Sequence, residues 1–122
     1  MRGALLAVGV LVLSASAAQA QNAAEGQKRF IVCKACHTVE AGGRHGIGPN
    51  LHGVFGAKAG TKEGFAFSPQ IKGSNIVWDE ASMTKYVMDP RNFIPGNKMA
   101  YPGMKQEQQV KDLMAYLKEA TK

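Results

Sequence analysis

The sequence predicts an all-α domain, and three observations carry the prediction. Three stretches repeat apolar residues with the period of a helix: Asn22 to Val32, Asp79 to Asp89, and about Gln106 to Ala120. No run alternates apolar and polar residues long enough to build a sheet. Between the first two stretches the chain is rich in glycine, and it follows the sequence Cys33-Lys34-Ala35-Cys36-His37, which holds both cysteines of the chain.

Taken in order, the chain opens on a processing segment. Arg2 supplies a positive end, Ala4 to Leu13 is apolar apart from Gly9, and Ala18-Gln19-Ala20 reads as a small-x-small cleavage site. The apolar part is too short to span a bilayer. Residues 1–20 are therefore expected to be a cleaved secretory signal peptide, and residues 21–122 a single domain. Export points to the bacterial periplasm. Removing Arg2 leaves 14 basic and 9 acidic residues, a net charge of +5. A basic balance suits nucleic acid, a membrane surface or an acidic protein. The longest basic run is Lys28-Arg29 and no base-reading motif is present, so nucleic acid is not expected as a partner.

In the first helix Gly26, Phe30 and Ile31 share a face, and Gly26 suggests a close helix crossing. The helix runs into the cysteine pair. C-x-x-C-H is the attachment signal of a c-type haem. At this spacing two thiols on one helical turn reach the two vinyl groups on one porphyrin edge, and the next imidazole is aimed at the iron. Three other uses of the pair are weaker. A Cys33–Cys36 disulfide would close too short a loop to stabilise much. A thioredoxin-like pair needs a βαβ context. A structural zinc needs four ligands, and His45 and His52 are a poor second pair.

The glycine-rich stretch beyond His37 is long for a small domain. It becomes reasonable if it wraps a large apolar cofactor that supplies the missing core. In the second helix Asp79 is the cap, Met83, Tyr86 and Val87 form the apolar face, and Pro90 is the stop. Pro95-Gly96-Asn97 is a turn signal. The last helix carries Val110, Leu113, Met114 and Leu117 at i, i+3, i+4, i+7. Met83 and Met114 read as core, and Met88 sits at a helix end. For a sixth iron ligand the local pattern leaves Met99, Met104 and His45 open. Met99 stands out for its Pro/Gly-constrained loop.

Cys-Lys-Ala-Cys-His-Thr-Val-Glu from Cys33, Gly-Pro-Asn-Leu-His-Gly-Val-Phe-Gly from Gly48, Trp78-Asp79-Glu80, Ile-Pro-Gly-Asn-Lys-Met from Ile94 and Leu-Met-Ala-Tyr-Leu-Lys-Glu-Ala-Thr-Lys from Leu113 resemble the class I c-type cytochromes. They run in family order over nearly all of residues 21–122. The resemblance implies an all-α cytochrome c fold, with helices and long loops around one covalently bound haem c. It implies thioethers at Cys33 and Cys36 and axial ligands His37 and Met99. Pro49 takes the place whose carbonyl receives the other ring N–H of the axial histidine. Tyr86 matches a tyrosine near the methionine sulfur, Trp78 a donor to a haem propionate, and Asn97 a threonine with a similar task. Gly26 and Phe30 fall where the first helix crosses the last, against Leu113 and Tyr116.

The chain departs from the mitochondrial pattern in a few places. Tyr101 replaces a phenylalanine, and the segment before Cys33 is one residue shorter. Ala57, Phe67 and Ile71 replace an arginine, a tyrosine and an asparagine at the polar end of the haem pocket. Lys58 and Lys62 are the cations that could substitute there.

The implied function is a soluble periplasmic electron carrier, not an enzyme and not embedded in a membrane. A monomer is expected. Its partners are expected to be acidic-surfaced redox proteins: membrane-bound reductases, oxidases or reaction centres. Lys34, Arg44, Arg91, Lys98 and Lys105 form the implied basic rim. Two other readings differ in class. One is a peroxidase-like haem enzyme or gas sensor with an open sixth position. The other is a secreted structural domain with a Cys33–Cys36 disulfide and no haem.

Overall fold

The computed structural model describes residues 3–11 and 21–122. Residues 3–11 form no helix or strand and lie exposed, and the expected cleavage site at Ala18-Gln19-Ala20 falls outside the described residues. From Asn22 onward the chain is helical where the periodicity predicts it. Helix α1 is Ala23–Arg29 and continues as a 3-10 turn over Phe30–Val32. Asn22 caps α1 by accepting the Glu25 N–H at 3.1 Å. Helix α3 is Glu80–Met88, opened by a capping box between Asp79 and Ser82. Helix α5 is Glu107–Ala120.

Two single-turn helices were not expected: α2, Pro69–Lys72, and α4, Pro90–Phe93. Each begins with proline in its first turn, where a missing N–H costs nothing, and Ser68 caps α2. Four residues are too few to show a period. Pro90 therefore does two jobs, ending α3 at Met88, two residues before it, and starting α4. No strand occurs among the described residues; a single antiparallel bridge pairs Lys58 with Val77.

Helices α1 and α5 cross at Gly26. A Cβ there would stand 1.9 Å from the Asp112 carbonyl oxygen and 2.8 Å from Tyr116 Cβ. Phe30 packs on the Tyr116 ring at 5.3 Å, and the Asn22 N–H donates to Asp112 Oδ1 at 3.0 Å. The α5 stripe of Val110, Leu113, Met114 and Leu117 is buried with Phe30, Met83, Tyr86, Trp78 and Ile94. On the α3 side, Glu80 pairs with Lys118 of α5 at 2.8 Å, and the Gln21 carboxamide joins both. Met83 and Met114 are core, as the pattern predicts.

The long middle segment is held by its own backbone and by the helices. Gly53 N–H donates to the Thr121 carbonyl, Ala59 to Ile76, Gly56 to Trp78, and Trp78 back to Ala57. These bonds set the buried Trp78 indole beside Tyr86, ring centroids 5.1 Å apart.

Candidate haem-binding site

The 3-10 turn carries helical geometry into the cysteine motif. Cys36 N–H donates to the Cys33 carbonyl at 3.1 Å, and His37 N–H donates to the same carbonyl at 2.9 Å. Both thiols are free and half-buried. Burial pushes the Cys33 thiol up to about 11, and nearby Cys36 adds to the shift. A thiol that protonated lacks the low pKa of a disulfide oxidoreductase. No group of three or more His, Cys, Asp or Glu side chains capable of holding a metal ion occurs among the described residues. The disulfide, dithiol and zinc readings thus find no support in the geometry.

His37 is oriented by the glycine-rich segment. Its Nδ1 lies 2.7 Å from the Pro49 carbonyl oxygen. A carbonyl can only accept, so Nδ1 carries the proton and Nε2 keeps a free lone pair. Burial lowers the His37 pKa, while the Pro49 bond opposes the shift. Gly48 makes the approach possible, since a Cβ there would meet the imidazole at 2.4 Å. Gly48 N–H returns to the Cys36 carbonyl at 2.9 Å, closing the segment onto the motif.

His45 is taken out of contention for an iron. Asn50 N–H donates to its Nδ1 at 2.9 Å, so Nε2 is the protonated nitrogen and donates to the Glu63 carbonyl at 2.8 Å. Met104 is buried in the core, with its N–H on the Val87 carbonyl. Met99 differs from both. It lines a cleft of about 350 Å³ together with Arg91, Gly96, Asn97, Lys98, Ala100, Tyr101 and Pro102. The Tyr101 pKa is raised by burial and, next, by Cys33.

The expected propionate donors divide. Trp78 and Tyr86 are buried, yet neither the indole N–H nor the phenol has a protein partner among the described residues. Burial pushes the Tyr86 phenol to about 12, so it is a neutral donor at working pH. Asn97 is not free in this way. Its Nδ2 donates to the carbonyls of Pro90 at 2.7 Å and Ile94 at 2.8 Å, and its Oδ1 accepts the Met99 N–H at 2.8 Å. Both amide hydrogens of Asn97 are thus engaged within the chain. The Lys62 ammonium donates one of its three hydrogens to the His52 carbonyl at 2.9 Å.

These residues fit a haem. Two free thiols and an Nε2 lone pair stand on one turn, and a thioether lines a cleft elsewhere in the fold. Leu51, Phe55, Ile71, Met99 and Tyr101 pack on the core while only partly buried, and a large flat apolar group would cover such surfaces. A family model described as cytochrome c matches residues 23–121. The chain belongs to the cytochrome c family.

Cytochrome c2 of Blastochloris viridis is 44% identical over 119 residues, covering 98% of this chain and 94% of that protein. Cytochrome c2 iso-2 of Magnetospirillum molischianum is 56% identical over 90 residues, covering 73% and 91%. Among solved structures, cytochrome cH from Methylobacterium extorquens superposes with a TM-score of 0.76 at 45% identity, covering 80% of this chain and 98% of that one. This cytochrome c is thus a class I c-type member with the all-α fold of its family. It is an electron carrier rather than an enzyme, and its cofactor is haem c, whose attachment motif Cys33 and Cys36 fit.

Proposed function

We propose that this cytochrome c is a periplasmic carrier that moves single electrons between membrane-bound redox complexes with acidic docking surfaces. Cys33 and Cys36 would hold the haem through their sulfurs, and His37 and Met99 would bind its iron. When bound, the haem supplies a one-electron ferrous–ferric couple. The residues of the chain hold and tune it. Pro49 keeps the proton on His37 Nδ1 and so presents Nε2 as the basic atom. Trp78 and Tyr86 offer unspent donors inside the fold. Met99 closes the face across from the cysteine turn and excludes water and small ligands. A thioether is a soft ligand that raises the reduction potential. Lys34, Arg44, Arg91 and Lys98 are exposed, and the last two flank the cleft that carries Met99.

The observation that carries this reading is the His37–Pro49 bond on the cysteine turn, with Met99 on the wall of a cleft. The intact mass of the protein from a periplasmic extract tests it. The expected mass is that of residues 21–122 plus one haem, with no free thiol. A bare chain with two free thiols would refute the attachment, and a chain starting at Met1 would refute export through the cleaved segment.

A further inference from the structure

The segment that carries Met99 contains no helix or strand between Phe93 and Glu107. Its far end is tied firmly to α3. Met104 N–H donates to the Val87 carbonyl at 2.9 Å, and the Lys105 ammonium donates to the Met88 carbonyl at 2.8 Å. Gly103, at φ +114°, comes so close that a Cβ would stand 2.3 Å from the Met88 carbonyl oxygen. Between these ties and Asn97, residues Lys98 to Gly103 make no backbone-to-backbone hydrogen bond among the described residues.

At the near end the backbone contributes one bond, Asn97 N–H to the Ile94 carbonyl at 3.2 Å, and one side chain adds the rest. A carboxamide has two hydrogens to donate and one oxygen to accept with. Asn97 gives one hydrogen to Pro90 at the start of α4 and one to Ile94 just past its end. It receives the Met99 N–H on its oxygen. Among the described residues the bond to Asn97 is the only hydrogen bond of the Met99 backbone.

We propose that Asn97 is a positioning residue for Met99. Its carboxamide joins both ends of α4 to the Met99 amide and so fixes where the thioether stands. This rests on the reading of Met99 as an axial ligand, but it assigns Asn97 to the loop rather than to the cofactor. Opening of this strap is a local event, so its frequency is set by the few bonds that hold it. Removing Asn97 therefore frees Met99 more often than it unfolds the protein.

The test uses the holoprotein with four variants: Asn97→Ala, Asn97→Asp, Met99→Ala and Asn22→Ala. Asn97→Asp keeps an acceptor for the Met99 N–H and loses both donors. Asn22→Ala removes a helix cap far from the loop. Two readings are taken: the far-red sulfur-to-iron absorption of the ferric form, and the rate at which the ferrous form binds carbon monoxide. Both Asn97 variants should weaken the band. Both should speed carbon monoxide binding at least about tenfold, the factor corresponding to one net hydrogen bond. Asn22→Ala should lower the melting temperature and leave both readings unchanged. If Asn97→Ala does not fold with haem, Asn97→Asp decides by the same two readings. Asn97 variants that lose stability as Asn22→Ala does, with the wild-type band and rate, would overturn the proposal. A band that survives Met99→Ala overturns the ligand assignment, and the role of Asn97 with it. Wild type showing the band and Met99→Ala lacking it separates the two failures.

Discussion

A single glycine controls the imidazole. Gly48 lies against the His37 ring so closely that one methyl group would overlap Cε1, Nδ1 and Nε2, all within 2.8 Å. The ring cannot retreat without losing the 2.7 Å bond to Pro49. Gly48→Ala is expected to cost about 1–3 kcal/mol by overpacking and to disturb the low-spin ferric spectrum. Denaturant unfolding and absorption spectra of the variant check both. The sequence marked this glycine only as the start of a family-like motif, and its contact with the imidazole left no local trace. The cysteine pair and His37 were legible, since their chemistry is local to five residues. That the Asn97 side chain bonds back to Pro90 and Ile94 was legible only in outline, from the Pro95-Gly96-Asn97 turn signal, because its place in the motif does not name its partners.

Helix α1 depends on α5 at one point. With the Gly26 Cβ position 1.9 Å from the Asp112 carbonyl, the helices must separate to admit any side chain. Gly26→Ala should destabilise the protein by about 3 kcal/mol, against the small gain alanine brings to an isolated helix. Chemical denaturation of the holoprotein measures it. A second contact adds a pH term. The hydrogen bond from Lys118, then that from Gln21, holds the Glu80 carboxyl below its ordinary pKa. A carboxylate depressed in the folded state binds fewer protons folded than unfolded. Its contribution is therefore present above the unfolded pKa near 4.3 and is lost as pH falls through the folded value. Both side chains are more than 40% exposed, so screening limits the pair to roughly 0.5 kcal/mol. Glu80→Gln should remove that increment at pH 7 and leave stability near pH 2 unchanged, as melting curves at the two pH values will show. The three long helices were legible because eleven or more residues display a period. Helices α2 and α4 were not, since a single turn has only its cap and its proline to announce it.

The whole molecule carries a net charge of +5 after residue 20, and Lys34, Arg44, Arg91, Lys98 and Lys105 are exposed. Lys105 spends part of its reach on the Met88 carbonyl, whereas Arg91 and Lys98 sit at the cleft of Met99. Charge placed around the electron exit steers a partner of opposite sign, and salt screens that steering beyond about 10 Å at 0.1 M. Association with an acidic redox partner should slow at least about tenfold between low and high salt, with Lys98→Glu flattening the dependence. Stopped-flow transfer rates across ionic strength check this. At this scale the sequence predicted helices around a cofactor from what the chain lacks. Few apolar stretches and a long glycine-rich segment cannot make a core unaided, and the partly buried ring of Leu51, Phe55, Ile71 and Tyr101 is the structural counterpart.

If His37 and Met99 both bind the haem iron, the molecule has no open iron site and works as a carrier. A potentiometric titration of the purified protein, run with and without carbon monoxide, tests it most directly. The account predicts one reversible wave with the one-electron slope of about 59 mV per tenfold change, at the same midpoint under either gas. A midpoint that rises under carbon monoxide would mean that the ferrous iron binds the gas, so that the sixth position is open and Met99 does not hold it.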